Sequence, residues 1–267
     1  MIPTPPVKYL MRFLALAYVG VLVIVPVGVI LWRSLAPGLG HFYAQISTPA
    51  AISALQLSLL VVAIVVPLNA VFGVSTALVL ARSRFRGKAA LQAVIDLPFA
   101  VSPVVVGVAL IVLWGSAGAL GFIERDLGFK IIFGLPGIVL ASIFVTLPFV
   151  IREVEPVLHE IGTDQEEAAA TLGSKWWQTF WRITLPAIRW GVSYGVVIAT
   201  ARALGEFGAV AVISGRISGQ SQTATIWIQQ AFQNFDQSGA YLGAVVLALL
   251  AVSILVAMNV FKRKEAT

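Results

Sequence analysis

The stretch YLMRFLALAYVGVLVIVPVGVILW (residues 9–32) carries a single charged side chain, Arg12. At a rise of ~1.5 Å per residue, a helix of this length exceeds the ~30 Å hydrocarbon thickness of a bilayer. A basic flank precedes it, as in a signal peptide, but the stretch is too long for one and lacks a small-residue cleavage site. It therefore predicts a retained membrane-spanning helix.

The rest of the chain repeats this pattern. Of its 267 residues, 59% are hydrophobic and 11% are charged, with a mean hydropathy of +0.94, which argues against a soluble enzyme. Six apolar runs predict six spans, at about residues 9–32, 54–81, 89–114, 135–151, 189–213 and 240–261. We therefore expect an all-α membrane protein in which residues 1–267 form a single transmembrane domain.

Cysteine and histidine usage narrows the chemistry further. The chain has no cysteine and two histidines, His41 and His159, far apart in the sequence. This excludes disulfides, thiolate metal sites and cysteine nucleophiles, and it argues against an imidazole metal centre. The sequence also lacks an HExxH motif and a Ser/His/Asp set, so a membrane enzyme is disfavoured.

The placement of lysine and arginine predicts the orientation of the spans. With a cytoplasmic N-terminus, thirteen of the 18 basic residues lie on the inner side and four on the outer side. The inner residues are Lys8, Arg12, Arg82, Arg84, Arg86, Lys88, Arg152, Lys175, Arg182, Arg189, Lys262, Arg263 and Lys264. Both termini are then cytoplasmic. The net charge of +6 follows from this topology, and no nucleic-acid partner is needed to explain it.

The longest predicted loop, residues 152–188, holds six of the twelve acidic residues. Thr163 and Glu166 form a capping-box pattern that predicts a short helix over residues 164–172, ending at Gly173. Ser174 is expected to cap a second helix, which Leu185 and Pro186 should stop. The aromatic residues of that helix are Trp176, Trp177, Phe180 and Trp181. We expect them to anchor it against the bundle or at the headgroups.

Several residues inside the spans predict irregular helices or close packing. The prolines of the spans are Pro26, Pro67, Pro98, Pro103 and Pro148. Each removes a backbone hydrogen bond, so it predicts either a kink or a break whose freed carbonyl other groups must satisfy. Gly191 and Gly195 form a GxxxG pattern, which predicts close helix packing.

Two charges inside the fifth span need a partner. Arg202 lies 13 residues after Arg189, ~20 Å along a helix, and Glu206 follows at i+4 on the same face. The pair could offer positive potential to a passing anion, or it could only fix helix packing, and the sequence leaves both interpretations open. Ser102 and Ser214 could donate hydrogen bonds to an oxyanion, or bond to their own helices.

A third ionisable residue, Asp96, lies some 10 Å into the third span. It could cap a break before Pro98, pair with a basic residue, or repel anions from a closed gate.

The stretch EAAATLGSKWWQTFWRITLP (residues 167–186) resembles the EAA motif of ABC-importer permeases at all seven fixed positions. These are Glu167, Ala168, Ala169, Gly173, Ile183, Leu185 and Pro186. The resemblance implies a type I (MetI-like) fold with six transmembrane helices, both termini in the cytoplasm, and a coupling helix moved by a cytoplasmic ATPase. Glu167, Ala168, Ala169 and Gly173 should then face the ATPase. Ile183, Leu185 and Pro186 should hold the loop to the bundle.

Two further stretches are similar to the sulfate and molybdate branch of this family, and most like one of the two sulfate/thiosulfate permease subunits. They are DLPFAVSPVVVG (residues 96–107) and ARALGEFGAVAVISGRISGQSQTAT (residues 201–225). The implied location is the bacterial inner membrane, with lipid around the bundle. The implied partners are a second, non-identical permease subunit, a cytoplasmic ABC ATPase dimer and an external sulfate-binding protein.

The chain contains no GxxxxGK[ST] motif, so ATP and Mg²⁺ should bind the ATPase, and we expect no cofactor on this chain. One alternative is a molybdate or tungstate permease acting as a homodimer. The other is an ATP-independent anion channel or carrier whose long loop is only a surface helix.

Overall fold

The computed structural model describes the backbone of residues 5–265 and the side chains of residues 9–258. The described residues form helices and connecting turns without a β-strand, which confirms the all-α prediction. In chain order, the helices are α1 (Pro5–Val19), α2 (Val25–Leu35), α3 (Leu39–Ile46), α4 (Pro49–Arg82), α5 (Lys88–Ala100), α6 (Pro103–Trp114), α7 (Phe122–Leu127), α8 (Leu135–Ile161), α9 (Asp164–Thr171), α10 (Trp176–Thr179), α11 (Leu185–Leu204), α12 (Gly208–Ile213), α13 (Ala224–Gln233) and α14 (Gln237–Glu265).

Five segments are long and apolar enough to cross a bilayer. They are Tyr9–Leu35, Pro49–Arg82, Leu135–Ile161, Trp176–Leu204 and Gln237–Met258. The third predicted span, residues 89–114, is instead a bent pair in which α5 and α6 meet at 117°. The break falls at Ser102, whose extended ψ of 135° is the conformation that a following proline imposes. The pair counts as a sixth span only if both arms together cross the membrane.

The prolines in the spans have three different effects. Pro103 begins α6 at the break, whereas Pro67, Pro98 and Pro148 lie inside continuous helices. Pro26 follows a π-helical turn, Gly20–Ile24, that joins α1 to α2.

The expected stop at Leu185 and Pro186 is wrong. A second π-helical turn, Phe180–Thr184, joins α10 to α11 directly, with the Leu185 amide bonded to the Phe180 carbonyl five residues back. The wider turn makes room for the ring of Pro186, which has no amide hydrogen to donate. The fifth spanning helix therefore begins at Trp176 rather than at residue 189.

Two other predicted boundaries need correction. α8 continues as a helix through Pro156 to Ile161, so the predicted loop 152–188 starts ten residues too early. α11 ends at Leu204 rather than at residue 213, and the short helix α12 follows after a break at residues 205–207. The break contains Gly205 and Glu206 and is followed by Gly208, so it lies where the sequence is polar and rich in glycine.

The centre of the bundle is the packing of α8 between α4 and α11. A Cβ on Gly191 would lie 2.8 Å from the Glu153 carbonyl oxygen, and one on Gly195 would lie 3.0 Å from Val150 Cα. The GxxxG prediction of close packing is therefore confirmed. On the α4 side, a Cβ on Gly73 would lie 2.7 Å from the Val150 side chain. Three glycines thus bring both neighbouring helices into close contact with α8.

Candidate coupling surface and polar clusters of the bundle

The predicted short helix after the fourth span is present as α9, which ends one residue earlier than expected. Gly173 terminates it with a φ of +82°, in the left-handed region that favours glycine. Its amide donates to the Ala170 carbonyl, and the Ser174 amide donates to the Ala169 carbonyl, both at 3.0 Å. This pair of bonds is the Schellman arrangement, which satisfies the last carbonyls of the helix.

The predicted capping box at the start of α9 is wrong. The Thr163 side chain makes no cap and instead donates to Glu167 Oε1 at 2.6 Å. The Glu166 carboxylate turns away from the Thr163 backbone. It accepts from the Thr184 hydroxyl at 2.8 Å and faces Arg82 Nε at 3.0 Å. In the pair with Arg82 both groups are charged, so this contact is stronger than a bond from the neutral Thr163 amide, which explains the choice.

Arg82, the last residue of α4, joins three segments of the chain. Besides Glu166, its guanidinium donates to the Leu158 carbonyl at 2.8 Å and the Gly162 carbonyl at 2.6 Å, at the C-terminus of α8. The side chains of Arg82 and Glu166 are only 17% and 22% exposed. In the sequence Arg82 was recognised only as one of the basic residues that predict the cytoplasmic side. No local pattern reveals its contact with Glu166, which lies 84 residues later in the chain.

The motif residues divide between surface and interior. Glu167, Ala168 and Gly173 are exposed, and so is Leu172, the residue before the terminating glycine. Ala169 is buried, so its side chain faces the protein, contrary to the expectation that it faces another subunit. The exposed side of α9 is therefore acidic and small at its start and apolar at its end.

The second half of the motif lies in the π-helical turn and the start of α11. Ile183 is half-buried, Leu185 packs against the core cluster that contains Val150 and Ile188, and Pro186 is exposed. The predicted cap at Ser174 is wrong by one residue, since the helix is capped at Lys175, whose amide donates to Gln178 Oε1.

The aromatic residues of α10 and the turn point in two directions. The indoles of Trp176, Trp177 and Trp181 are exposed, whereas Phe180 packs against the core.

Arg202 and Glu206 pair as predicted, with Nη1 of the arginine 2.6 Å from Oε2 of the glutamate. They do not share one continuous helix, because α11 ends at Leu204 and Glu206 lies in the break. The Glu206 side chain is 1% exposed, and its Oε1 accepts from the Ala209 amide at 3.1 Å, which caps α12. Its carbonyl accepts from the Thr225 hydroxyl. Glu206 thus ties together α11, α12 and α13.

The break at Ser102 lies against the break at residues 205–207. A Cβ on Gly208 would lie 2.8 Å from Pro103 Cβ, and one on Gly107 would lie 2.8 Å from the Ala209 carbonyl oxygen. Ser102 is exposed, and its side chain makes no cap on α6. The structure therefore brings Ser102 to the region of Glu206.

Ser214 is placed differently from the other candidate path residues. It is buried, its hydroxyl donates to the Ser221 carbonyl, and it accepts from the Arg216 amide at 3.0 Å. A serine hydroxyl has one proton to donate. Since Ser221 takes that proton, Ser214 has none for an oxyanion in this conformation.

A buried polar cluster between α4 and α8 escaped the sequence analysis. Asn69 donates through Nδ2 to the Thr146 hydroxyl at 2.5 Å, and Thr146 donates to the Ser142 carbonyl at 2.6 Å. Asn69 and Thr146 are completely buried. The signal that could have found it is the lone asparagine in the middle of the second apolar run.

Comparison with known proteins gives a consistent result. Residues 71–266 match the family described as "Binding-protein-dependent transport system inner membrane component". The chain is 48% identical over 258 residues to the sulfate transport system permease protein CysW of Synechocystis sp., covering 97% of this chain and 94% of that protein. It is 36% identical over 242 residues to the CysT permease protein of the sulfate transport system of Synechococcus elongatus, covering 91% and 87%.

A solved structure shares the fold. The crystal structure of a bacterial ABC transporter involved in the import of the acidic polysaccharide alginate contains a chain that aligns with a TM-score of 0.82 at 18% identity. The alignment covers 97% of this chain and 95% of that one. The bent α5–α6 pair and the short helices after α8 thus belong to a fold already observed in an ABC importer.

Proposed function

Because the chain belongs to the family of binding-protein-dependent transport system inner membrane components, we propose that it is the W-type permease subunit of an ABC importer for sulfate. It is a multi-pass protein of the inner membrane, and its family consists of transport components rather than enzymes. The observation that carries the substrate is the identity to sulfate transport permeases over most of the chain, 48% to a CysW permease and 36% to a CysT permease. The higher of the two values favours the W type.

The coupling surface is the exposed side of α9, defined by Glu167, Ala168, Leu172 and Gly173. Small residues let another protein approach the backbone closely. Leu172 is exposed, and burial of its apolar side chain against another protein would be favourable. We place a separate ATPase subunit on this surface, with ATP and Mg²⁺ bound there. Movement of α9 would pass to α4 and α8 through Arg82 and to α11 through the contact of Glu166 with Thr184.

The transport cycle would be alternating access between two permease subunits. The similarity to both CysW and CysT permeases supports a related but non-identical second subunit. The family description supports an external binding protein that delivers the anion. A dianion cannot cross hydrocarbon alone, so the two permeases would form a protein-lined, hydrated path between them.

The test is uptake of radiolabelled sulfate by proteoliposomes that contain the assembled complex, with ATP inside or outside and unlabelled molybdate as competitor. The proposal predicts ATP-dependent uptake that excess sulfate abolishes and equimolar molybdate leaves largely intact. Preferential inhibition by molybdate would indicate the other oxyanion. If uptake proceeds without ATP, and if Gly173→Trp leaves it unchanged, both the coupling surface and the ABC mechanism are wrong.

A further inference from the structure

A polar cleft lies between α5 and α8 in the cytoplasmic half of the bundle. Its volume is about 280 Å³, and Gln92, Asp96, Arg152 and Glu155 contribute its polar lining. Arg152 donates to Asp96 Oδ1 from Nη2 at 2.7 Å and from Nε at 3.2 Å. Gln92 donates to Glu155 Oε1 at 3.3 Å. The polar lining of the cleft therefore consists of charged and amide side chains that are hydrogen-bonded to one another.

The depth of this ion pair is what makes it informative. Asp96 lies eight residues after the start of α5, ~12 Å along the helix, and Arg152 lies ~25 Å from the outer end of α8. Both positions fall within the ~30 Å hydrocarbon layer if the outer end of α8 and the inner end of α5 mark its borders. The side chains of Arg152 and Asp96 are nevertheless 54% and 48% exposed in this chain.

Half-exposed charges at that depth are not stable against lipid. An ionised side chain inside hydrocarbon costs ~2.5–3.5 kcal/mol or more, and an aspartate is too short to reach the headgroups. The exposed side of the cleft must therefore face water or protein. Its mixture of two carboxylates, an amide and a guanidinium suits a hydrated passage.

Given the proposed import of sulfate, we propose that this cleft is the cytoplasmic section of the anion path and that Arg152 is the cation an oxyanion contacts before its release. A guanidinium has five N–H donors in a planar fork that matches oxyanions, and the Asp96 bonds use only two of them. The Phe99 ring lies 4.5 Å from the guanidinium carbon and packs edge-on against Phe149. This aromatic wall fixes the guanidinium at the edge of the cleft.

Asp96 has a separate role in this scheme. A path conducts when each site attracts the ion enough for entry but not so strongly that release is slow. Asp96 competes with the oxyanion for Arg152 and so keeps its affinity low. Glu155, whose side chain is 17% exposed, adds a second negative charge that favours departure of the anion into the cytoplasm.

The chain contains no cysteine, so single-cysteine labelling tests the cleft directly. Gln92→Cys is introduced into the assembled transporter in inside-out vesicles. Modification of this chain is followed by mass, with a negatively and a positively charged methanethiosulfonate of similar size. Leu16→Cys, at a strongly exposed position of α1, is the matched lipid-facing control. We expect Gln92→Cys to react with both reagents and Leu16→Cys to react with neither.

Charge variants then assign the selectivity to Arg152. In the Gln92→Cys background, Arg152→Gln should lower the ratio of anionic to cationic reaction rates by about five- to tenfold, the effect of removing one unit charge nearby in a hydrated cleft. Arg152→Lys should keep most of the ratio, and Asp96→Asn should raise it. Added sulfate should slow the anionic reagent only while Arg152 is present.

Two outcomes would overturn the proposal. One is a Gln92→Cys that reacts with neither charged reagent but does react with a lipid-soluble maleimide, because lipid or a dry subunit contact then covers the cleft. The other is a rate ratio that Arg152→Gln leaves unchanged. Absence of ATP-dependent sulfate uptake by the wild-type complex in the proteoliposome assay would instead contradict the proposed function, since the labelling rates are measured without transport.

Discussion

Arg82 at the end of α4 holds Glu166 in the first turn of α9, with 3.0 Å between Nε and Oε2. The same guanidinium bonds to the last carbonyls of α8, and the same carboxylate bonds to Thr184 in the π-helical turn. Two side chains therefore connect the proposed coupling surface to the three helices at the centre of the bundle. A displacement of α9 cannot leave those helices unaffected while both contacts persist.

Replacement of Arg82 by glutamine should uncouple the transporter. Hydrogen bonds to a charged group contribute ~1.5–3 kcal/mol each when intact, so their loss should leave α9 poorly held. We expect ATP-dependent sulfate uptake to fall by about tenfold or more while the ATPase retains most of its activity. The measurement is the number of sulfate ions transported per ATP hydrolysed in proteoliposomes.

Arg84→Gln is the matched control for that experiment, because Arg84 carries the same charge two residues later and is exposed. Its transport ratio should equal that of the wild type. Equal losses in the two variants would mean that the net charge of the loop matters and that the contact with Glu166 does not.

Gly173→Ala should weaken the end of α9 through its backbone alone. No atom lies within 4 Å of a Cβ built on Gly173, so a methyl group meets no steric obstacle there. The left-handed φ costs a residue with a side chain ~1–2 kcal/mol, and asparagine tolerates it better than alanine. We expect uptake in the order glycine, asparagine, alanine, with similar amounts of chain in the membrane. An alanine variant as active as the asparagine variant would contradict this account.

The sequence predicted α9 well because its signals are local. Three acidic residues, a run of alanines and a glycine lie within ten positions, and Gly173 needs no distant partner to end the helix. Ser102 followed by Pro103 also carried the signal for the bend between α5 and α6, although its size was not foreseen. By contrast, the choice of Glu166 between a local cap and a salt bridge depends on Arg82, 84 residues away.

The predicted start of the fifth span was wrong for a related reason. A proline after a leucine normally indicates the end of a helix, and only the π-helical turn before Pro186 allows the helix to continue. That turn is supported by the packing of Phe180 and Leu185 against the core, which no local pattern reveals. The pair formed by Arg202 and Glu206 was predicted correctly from the i+4 spacing, even though the helix ends between them.

Gly191→Ala should destabilise the bundle at the contact between α8 and α11. The new Cβ would lie 2.8 Å from the Glu153 carbonyl oxygen, a backbone atom that cannot move aside cheaply. Overpacking of this kind costs ~1–3 kcal/mol. The thermal unfolding temperature of the purified complex in detergent should therefore fall by several degrees.

The control is Gly28→Ala in α2, where nothing lies within 4 Å of the added Cβ. Its unfolding temperature should match that of the wild type or exceed it, since alanine favours a helix more than glycine does. A larger loss for Gly28→Ala than for Gly191→Ala would refute the packing assigned to α11.

Arg202→Met should be more harmful alone than together with Glu206→Gln. The single change leaves a carboxylate that is 1% exposed without its counter-charge, and breaking a buried pair in this way costs ~3–5 kcal/mol. In the double variant the glutamine stays neutral and its side-chain oxygen can still accept from the Ala209 amide, so most of that loss should be recovered. Unfolding temperatures of the two variants in the assembled complex measure the difference. If the single variant is as stable as the double variant, Glu206 finds another counter-charge, and the tie between α11 and α12 does not depend on Arg202.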